Sequence, residues 1–178
     1  MIKNVIYKDL GLMNYNEAWA YQEKIFNKKV EEKQQKTANN IISEHTDDFL
    51  LFCEHHNVFT LGKSGSEQNL LVNILTLNNK KAEFVKTNRG GDITYHGPGQ
   101  IVGYPILNLE NYVSGVKEYI YLLEQSIIDC LKLYNLKGER LEGATGVWID
   151  TEIKNKTRKI CAIGVRTSRW VSMHGFAF

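Results

Sequence analysis

A chain of 178 residues with 43% hydrophobic content can bury one sizeable core, and its 22 basic and 20 acidic residues leave a net charge of only +2. A balance this even excludes a global nucleic-acid footprint and an acidic tail. No apolar run approaches a membrane span and residues 1–10 hold no secretory core, so a soluble, cytoplasmic protein without membrane contact is expected.

Ile2–Tyr7 reads as a first strand closed by Gly11. Asn14 then caps a helix whose Ala18, Trp19, Ile25, Phe26 and Val30 recur at helical spacing, with Lys28, Lys29 and Glu32 among the residues assigned to the solvent side. Lys33–Ser43 reads as a frayed helix end and connection. Phe49–Cys53 and Val58–Leu61 are apolar runs joined at a polar corner that holds His55 and His56. Adjacent side chains in extended backbone point apart, so this pair reads as loop histidines and not as a chelate.

Glu83–Thr87 is a strand leading into Arg89–Gln100, the most distinctive stretch, which places four of the fourteen glycines in twelve positions. Gly90 and Gly91 permit positive φ or close approach of a ligand, and Gly97, Pro98 and Gly99 force a second reversal. Between them lies the β-prone Asp92, Ile93, Thr94, Tyr95 and His96. The spacing matches neither a P-loop nor a dinucleotide-binding turn. On composition alone the stretch is either a substrate-cradling loop or a glycine-rich hairpin without chemistry.

Ile101–Leu107 reads as a buried strand in which Pro105 requires an edge or a bulge. A second helix follows from Val116, Tyr119, Ile120, Leu123, Ile127, Ile128, Leu131 and Tyr134, with Ser114 as cap and Gly138 at its end. Gly146–Asp150, Arg158–Arg166 and Trp170–Phe178 read as consecutive antiparallel strands. The sum is an α/β (α+β) domain spanning residues 1–178, with a mixed, largely antiparallel sheet and helices mainly on one face.

Alternation in the second-last strand places Lys159, Cys161, Ile163 and Val165 together and Ile160, Ala162, Gly164 and Arg166 on the other face. A lysine on an apolar face must snorkel, find a partner or lose its proton readily, and the last property suits a base or a thiolate-stabilising cation. A solvated strand-end charge is the plainer reading. Cys53, Cys130 and Cys161 are odd in number and lack Cys-x-x-Cys spacing, which points to reduced thiols and not to disulfides or a zinc site.

Taken together, Arg89–Gln100, Gly146-Val147-Trp148, Lys159–Arg166 and Ser172–Ala177 resemble the lipoyl(octanoyl) transferases. The resemblance implies the biotin and lipoate protein ligase fold, with a mixed sheet lining an acyl tunnel. It implies an enzyme that takes an octanoyl (or lipoyl) group from acyl carrier protein, holds it on a cysteine, and passes it to a specific lysine of a lipoyl domain. The acceptors would be lipoyl domains of dehydrogenase complexes or the glycine cleavage H protein. No cofactor, metal or nucleic acid enters that reaction, and a monomer is expected. Carried over by position, Lys159 lowers the thiol pKa and moves protons. Arg89, Gly90, Gly91, Asp92, Ile93, Thr94, Tyr95 and His96 form one wall of the acyl site. Ala162, Ile163 and Gly164 form a second, and Gly175, Phe176 and Ala177 a third. His96 either meets the thioester carbonyl or fixes its own loop.

One departure stands out. The family's nucleophile lies in a Pro-Cys-Gly context a few dozen residues after the His-Gly segment, yet the only prolines here are Pro98 and Pro105. The expectation is a chain cut before that cysteine and inactive as it stands, with Cys161 an ordinary core thiol. Two alternatives remain open: an ATP-dependent lipoate-protein ligase of the same fold, and a non-catalytic module binding acyl carrier protein or lipoyl domains.

Overall fold

A computed structural model describes residues 4–38, 47–72 and 74–178 of the chain. Its first strand, β1, is Val5–Met13. Gly11 does not close it: with φ +62° it sits inside a register irregularity between Asp9 and Leu12, and pairing resumes beyond. Ile2 lies outside the described residues.

Helix α1 is Tyr15–Ala38, and the Asn14 side chain caps it by accepting the Asn16 amide at 2.8 Å. Its buried face carries Ala18, Gln22, Phe26 and Lys29. Lys29 is thus a correction to the solvent-side assignment. Its ammonium lies 2.8 Å from Asp48 and 2.7 Å from the Asp47 carbonyl, which compensates the cost of burying the charge. The helix also continues to Ala38 where fraying was expected, and residues 39–46 of that stretch lie outside the described residues.

The remaining strands are β2 (Asp48–His55), β3 (Val58–Leu61), β4 (Glu83–Lys86), β5 (Ile93–His96), β6 (Val102–Ile106), β7 (Glu139–Leu141), β8 (Ala144–Ile149), β9 (Arg158–Ser168) and β10 (Val171–Ala177). Helix α2 (Ile74–Asn79) is short, and α3 is Val116–Leu133. Seven strands form one sheet in the order β1-β2-β6-β10-β9-β8-β7, and β4-β3-β5 form a second. Only the β1–β2 and β3–β4 pairings are parallel among the described residues. This is the mixed, largely antiparallel α+β arrangement expected. No helix among the described residues is long and apolar enough to cross a membrane.

Pro105 lies in the middle of the large sheet and still obeys its chemistry. Opposite β10, β6 pairs only through Gly103 and Val102, and the ladder opens at the proline, which has no N–H to give. Ser172 closes the gap, its hydroxyl accepting the Leu107 amide at 3.0 Å and donating to the Pro105 carbonyl at 2.9 Å.

Two apolar clusters hold the sheet. Under α1, Ala18 and Phe26 pack with Leu51, Cys53, Tyr104, Ile106, Met173 and Ala177. Under α3, Ile127, Ile128 and Leu131 pack with Val147, Cys161 and Ile163, and Phe176 adds to this cluster. Alternation along β10 therefore puts Ala177 toward α1 and Phe176 toward α3, so the two helices divide the cover. A fully buried side chain of the size of Phe26 or Leu131 contributes about 1.5–3 kcal/mol.

Candidate functional site

The glycine stretch is where the two sheets meet. On the small-sheet side three backbone bonds clamp it to the end of β3: Gly62 N donates to Asp92 O (3.2 Å), Lys63 N to Arg89 O (2.9 Å) and Ser64 N to Gly91 O (3.2 Å). On the large-sheet side Gly90 N donates to Val165 O at 2.9 Å. Gly91 takes φ +85°, and a Cβ on Gly62 would strike the Gly91 carbonyl, so glycine is required on both partners. The second bend is anchored too, with Gly99 N donating to Glu54 Oε2 at 2.7 Å. Beyond it, Ile101 and Phe178 exchange both backbone bonds at 2.8 and 2.9 Å, tying the stretch to the end of β10.

Between this stretch and the β8–β9 hairpin lies an open cleft of about 500 Å³. The loop contributes Arg89 and the run from Gly91 to Tyr95, β9 contributes Lys159, Ala162 and Ile163, and β10 contributes Ala177. A much smaller inner pocket, about 20 Å³, continues from it through the shared Arg89, Thr94, Ala162 and Ala177. Gly164, Gly175, Phe176 and His96 line that inner part. Gly90 lines neither and instead carries the bond to Val165. Residues from all three stretches thus line two adjacent cavities that share four side chains.

Arg89 is 7% exposed, and among the described residues its guanidinium has no carboxylate partner. Nη2 donates to Thr60 O (2.7 Å) and Thr60 Oγ1 (2.8 Å), and Nη1 to Gly90 O (2.9 Å). Its burial and charge mark the whole neighbourhood. Burial first, then His55 and Arg89, push His96 down to about 4 against the hydrogen bond it donates to Gln100 Oε1, which raises it. Burial first, then Arg89 and Arg166, push His174 down to about 3. Burial also lowers His55. All three imidazoles are therefore neutral at pH 7.

Their bonds fix the tautomers. His55 is fully buried at the end of β2, where a loop residue was expected. Its Nδ1 donates to Met13 O at 2.8 Å, so Nε2 accepts from the Tyr104 hydroxyl at 2.7 Å. His96 Nδ1 faces Gln100 Oε1 at 2.9 Å and Nε2 faces Thr60 Oγ1 at 3.3 Å, so this histidine holds its own loop. His174 Nε2 donates to Asn88 Oδ1 at 2.6 Å.

Lys159 sits at the rim of the cleft, with Nζ 4.7 Å from the Trp148 ring. Partial burial lowers its pKa, with Cys161 and Glu124 opposing the shift. Cys161 itself faces the α3 core and lines neither cavity. Burial pushes its thiol up to about 12, and that of Cys53 likewise. Cys130 is on α3, also away from both cavities.

The description lipoyl protein ligase A/B catalytic domain matches residues 14–178. The chain belongs to that family. It is 47% identical to an octanoyltransferase of Cytophaga hutchinsonii, over 98% of this chain and 72% of that protein. With an octanoyltransferase of Christiangramia forsetii the identity is 52%, over 99% and 75%. Among solved structures, lipoate-protein ligase A bound with ATP superposes with a TM-score of 0.68 at 13% identity, covering 99% of this chain and 66% of that one. A bipartite lipoate protein ligase from Thermoplasma acidophilum gives 0.64 at 11%, covering 99% and 60%. At those identities the structures establish the fold, which the family shares.

Several lining residues of this family member escape a reading by motif. Gly143–Thr145 border the cleft, while Tyr15 and Tyr104 close the inner pocket. Tyr15 opens a helix and Tyr104 sits in a continuous apolar run, so both read as ordinary core. Glu124 carried a usable signal: it lies on the apolar stripe of α3, four residues after Ile120 and three before Ile127, and it is buried.

Proposed function

We propose that this protein transfers an octanoyl or lipoyl group from acyl carrier protein to a specific lysine of a lipoyl domain, through a cysteine thioester. The observation that carries the reading is Lys159, a lysine held below its usual pKa at the rim of a cleft whose deeper wall is made of Ala162, Gly164, Gly175 and Ala177. Small residues let an acyl chain lie against backbone, and Ile93, Ile163 and Phe176 give it apolar surface.

The chemistry runs in two steps. A thiolate attacks the carbonyl carbon of the carrier thioester, a new C–S bond forms, and the carrier thiol leaves. The acceptor amine then attacks the enzyme thioester, a C–N bond forms and the C–S bond breaks. An ammonium at Lys159 favours the thiolate in the first step and gives its proton to the departing carrier sulfur, and the neutral amine so left accepts the proton of the incoming nucleophile in the second. Cys53 and Cys161 hold their protons too tightly and Cys130 lines neither cavity, so in this reading the sulfur comes from a cysteine outside residues 1–178. The guanidinium of Arg89, buried in the loop wall and lining both cavities, is the cation that this reading turns toward the acyl carbonyl. Lipoyl domains of dehydrogenase complexes or the glycine cleavage H protein are the acceptors, and a soluble cytoplasmic monomer is the form we assign.

The test uses the protein expressed from its full coding sequence. Mixed with octanoyl-acyl carrier protein, it gains one octanoyl mass on a cysteine and then octanoylates a lipoyl domain without ATP. Transfer that requires ATP and free acid, with release of pyrophosphate, would replace this reading by that of a ligase. Absence of any transfer, with carrier or lipoyl domain still bound, would replace it by a binding module.

A further inference from the structure

A buried carboxylate stands beside the lysine on which this reading rests. Glu124, on α3, is 7% exposed. One of its oxygens accepts the Gly146 amide at 2.9 Å and the other accepts Arg140 Nε at 2.9 Å. Gly146, in β8, takes φ +118°, a conformation that disfavours side chains, and a Cβ there would strike the Cys161 carbonyl. The same Cβ would stand 3.4 Å from both Cδ and Cε of Lys159. The lysine stem therefore lies across the bare face of Gly146, and the peptide under it is the one that Glu124 holds. Just beyond, β8 and β9 slip register between Val147 and Trp148, which brings the Trp148 ring under the ammonium.

We propose that Glu124 is a positioning residue for Lys159, anchoring the Gly146 peptide beneath the lysine stem and supplying the buried negative charge that holds the ammonium at the cleft. The assignment rests on the role given to Lys159 above. Around that lysine stand Glu124 from α3, Cys161 on its own strand, and Arg89, Asp92 and Tyr95 along the same cleft. Arg140 from β7 shares the Glu124 charge, and Arg158 is taken up by Asp150 at 2.8 Å. Glu124 and Cys161 are the neighbours whose charge raises the lysine, and the Cys161 thiol stays protonated at neutral pH. That leaves Glu124 as the carboxylate on this side of the lysine, bound to Gly146 N and Arg140 Nε.

The experiment is a titration of the lysine Cε resonances of the full protein by ¹³C NMR, with the Lys159 signal identified by its loss in Lys159→Arg. Glu124→Gln keeps an acceptor oxygen for Gly146 and removes the charge. The expected result is a lower titration midpoint for Lys159 with its ring-current displacement from Trp148 retained. An unmoved midpoint overturns the proposal. If Glu124→Gln does not fold, Arg140→Gln takes away the cation that shares the carboxylate, and the midpoint is expected to rise; there too, no movement overturns it. Because the titration is read without substrate, its failure is distinct from failure of acyl transfer, which would strike the functional reading instead.

Discussion

Arg89 and Gly164 touch across the seam between the two sheets: a Cβ on Gly164 would stand 3.2 Å from Arg89 Cδ and 2.7 Å from the Gly90 carbonyl. A methyl group there pushes on a loop clamped from its other side by the end of β3. Gly164→Ala is expected to cost about 1–3 kcal/mol of stability and to weaken acyl transfer more than that loss explains. Chemical denaturation and an acyl-transfer assay on the same preparation check it; full activity with unchanged stability would show that the seam gives way freely.

His55, His96 and His174 make the protein acid-sensitive. In the unfolded chain each binds a proton near pH 6.5, whereas folded His96 and His174 resist until about 4 and about 3. The unfolded state therefore holds more protons between those values. The contribution is complete above about pH 6.5 and drains away as pH falls toward the folded values, at up to about 1.4 kcal/mol per pH unit for each histidine. Urea midpoints at pH 7.5, 6 and 5 should fall in order, and His96→Gln should reduce the slope.

Asp48 gathers three partners, Lys29 Nζ at 2.8 Å, Asn108 N at 2.8 Å and the Tyr112 hydroxyl at 2.7 Å. Replacing one member of the buried pair strands the other charge, so Lys29→Met is expected to cost about 3–5 kcal/mol. In Lys29→Met/Asp48→Asn the loss should be smaller than the sum of the single losses, which a double-mutant cycle by denaturation measures.

Lys159→Ala should separate function from stability. The side chain lies at the cleft rim with only the Gly146 face and the Trp148 ring against it, so its removal is expected to change folding free energy by no more than about 1 kcal/mol. Acyl transfer by the full-length protein should fall by about 10²-fold or more. A parallel loss of melting temperature would assign the residue a structural role instead.

The thiols give a simple chemical check. Under brief alkylation at pH 8, the native protein is expected to modify Cys130 ahead of Cys53 and Cys161, whose buried thiols hold their protons up to about 12. Peptide mass spectrometry reads the order, and early labelling of Cys161 would place a reactive thiol beside Lys159.

Much of this was legible in the residues. The centre of the α3 stripe, Tyr119 to Leu131, is buried as its periodicity predicts, but the helix is capped by Gly115 and not Ser114 and stops at Leu133, well before Gly138, with Tyr134 outside it and exposed. The three stretches around Arg89, Ala162 and Gly175 were expected together because the family resemblance joins them. What periodicity missed were polar groups buried with partners far away in sequence. Lys29 looked solvated until Asp48 came opposite it, and His55 looked like a corner residue until Tyr104 and Met13 closed over it. Gly11 read as a strand end because one residue cannot reveal a bulge. Each error has one cause: a local pattern reports propensity, and the partner that overrides it lies on another element of the fold.

The clamp that Gly62, Lys63 and Ser64 place on the glycine stretch has a temporal consequence. Its other handle, Val165, is about a hundred residues further along, and Phe178 holds the far end. The loop wall closes over a short span, but the cleft is complete only when β9 and Phe178 reach that wall, which requires closing much longer loops. Ligand binding to this space is thus a late event in folding, and a probe of its occupancy is equally a probe of whether the whole polypeptide has reached its native state.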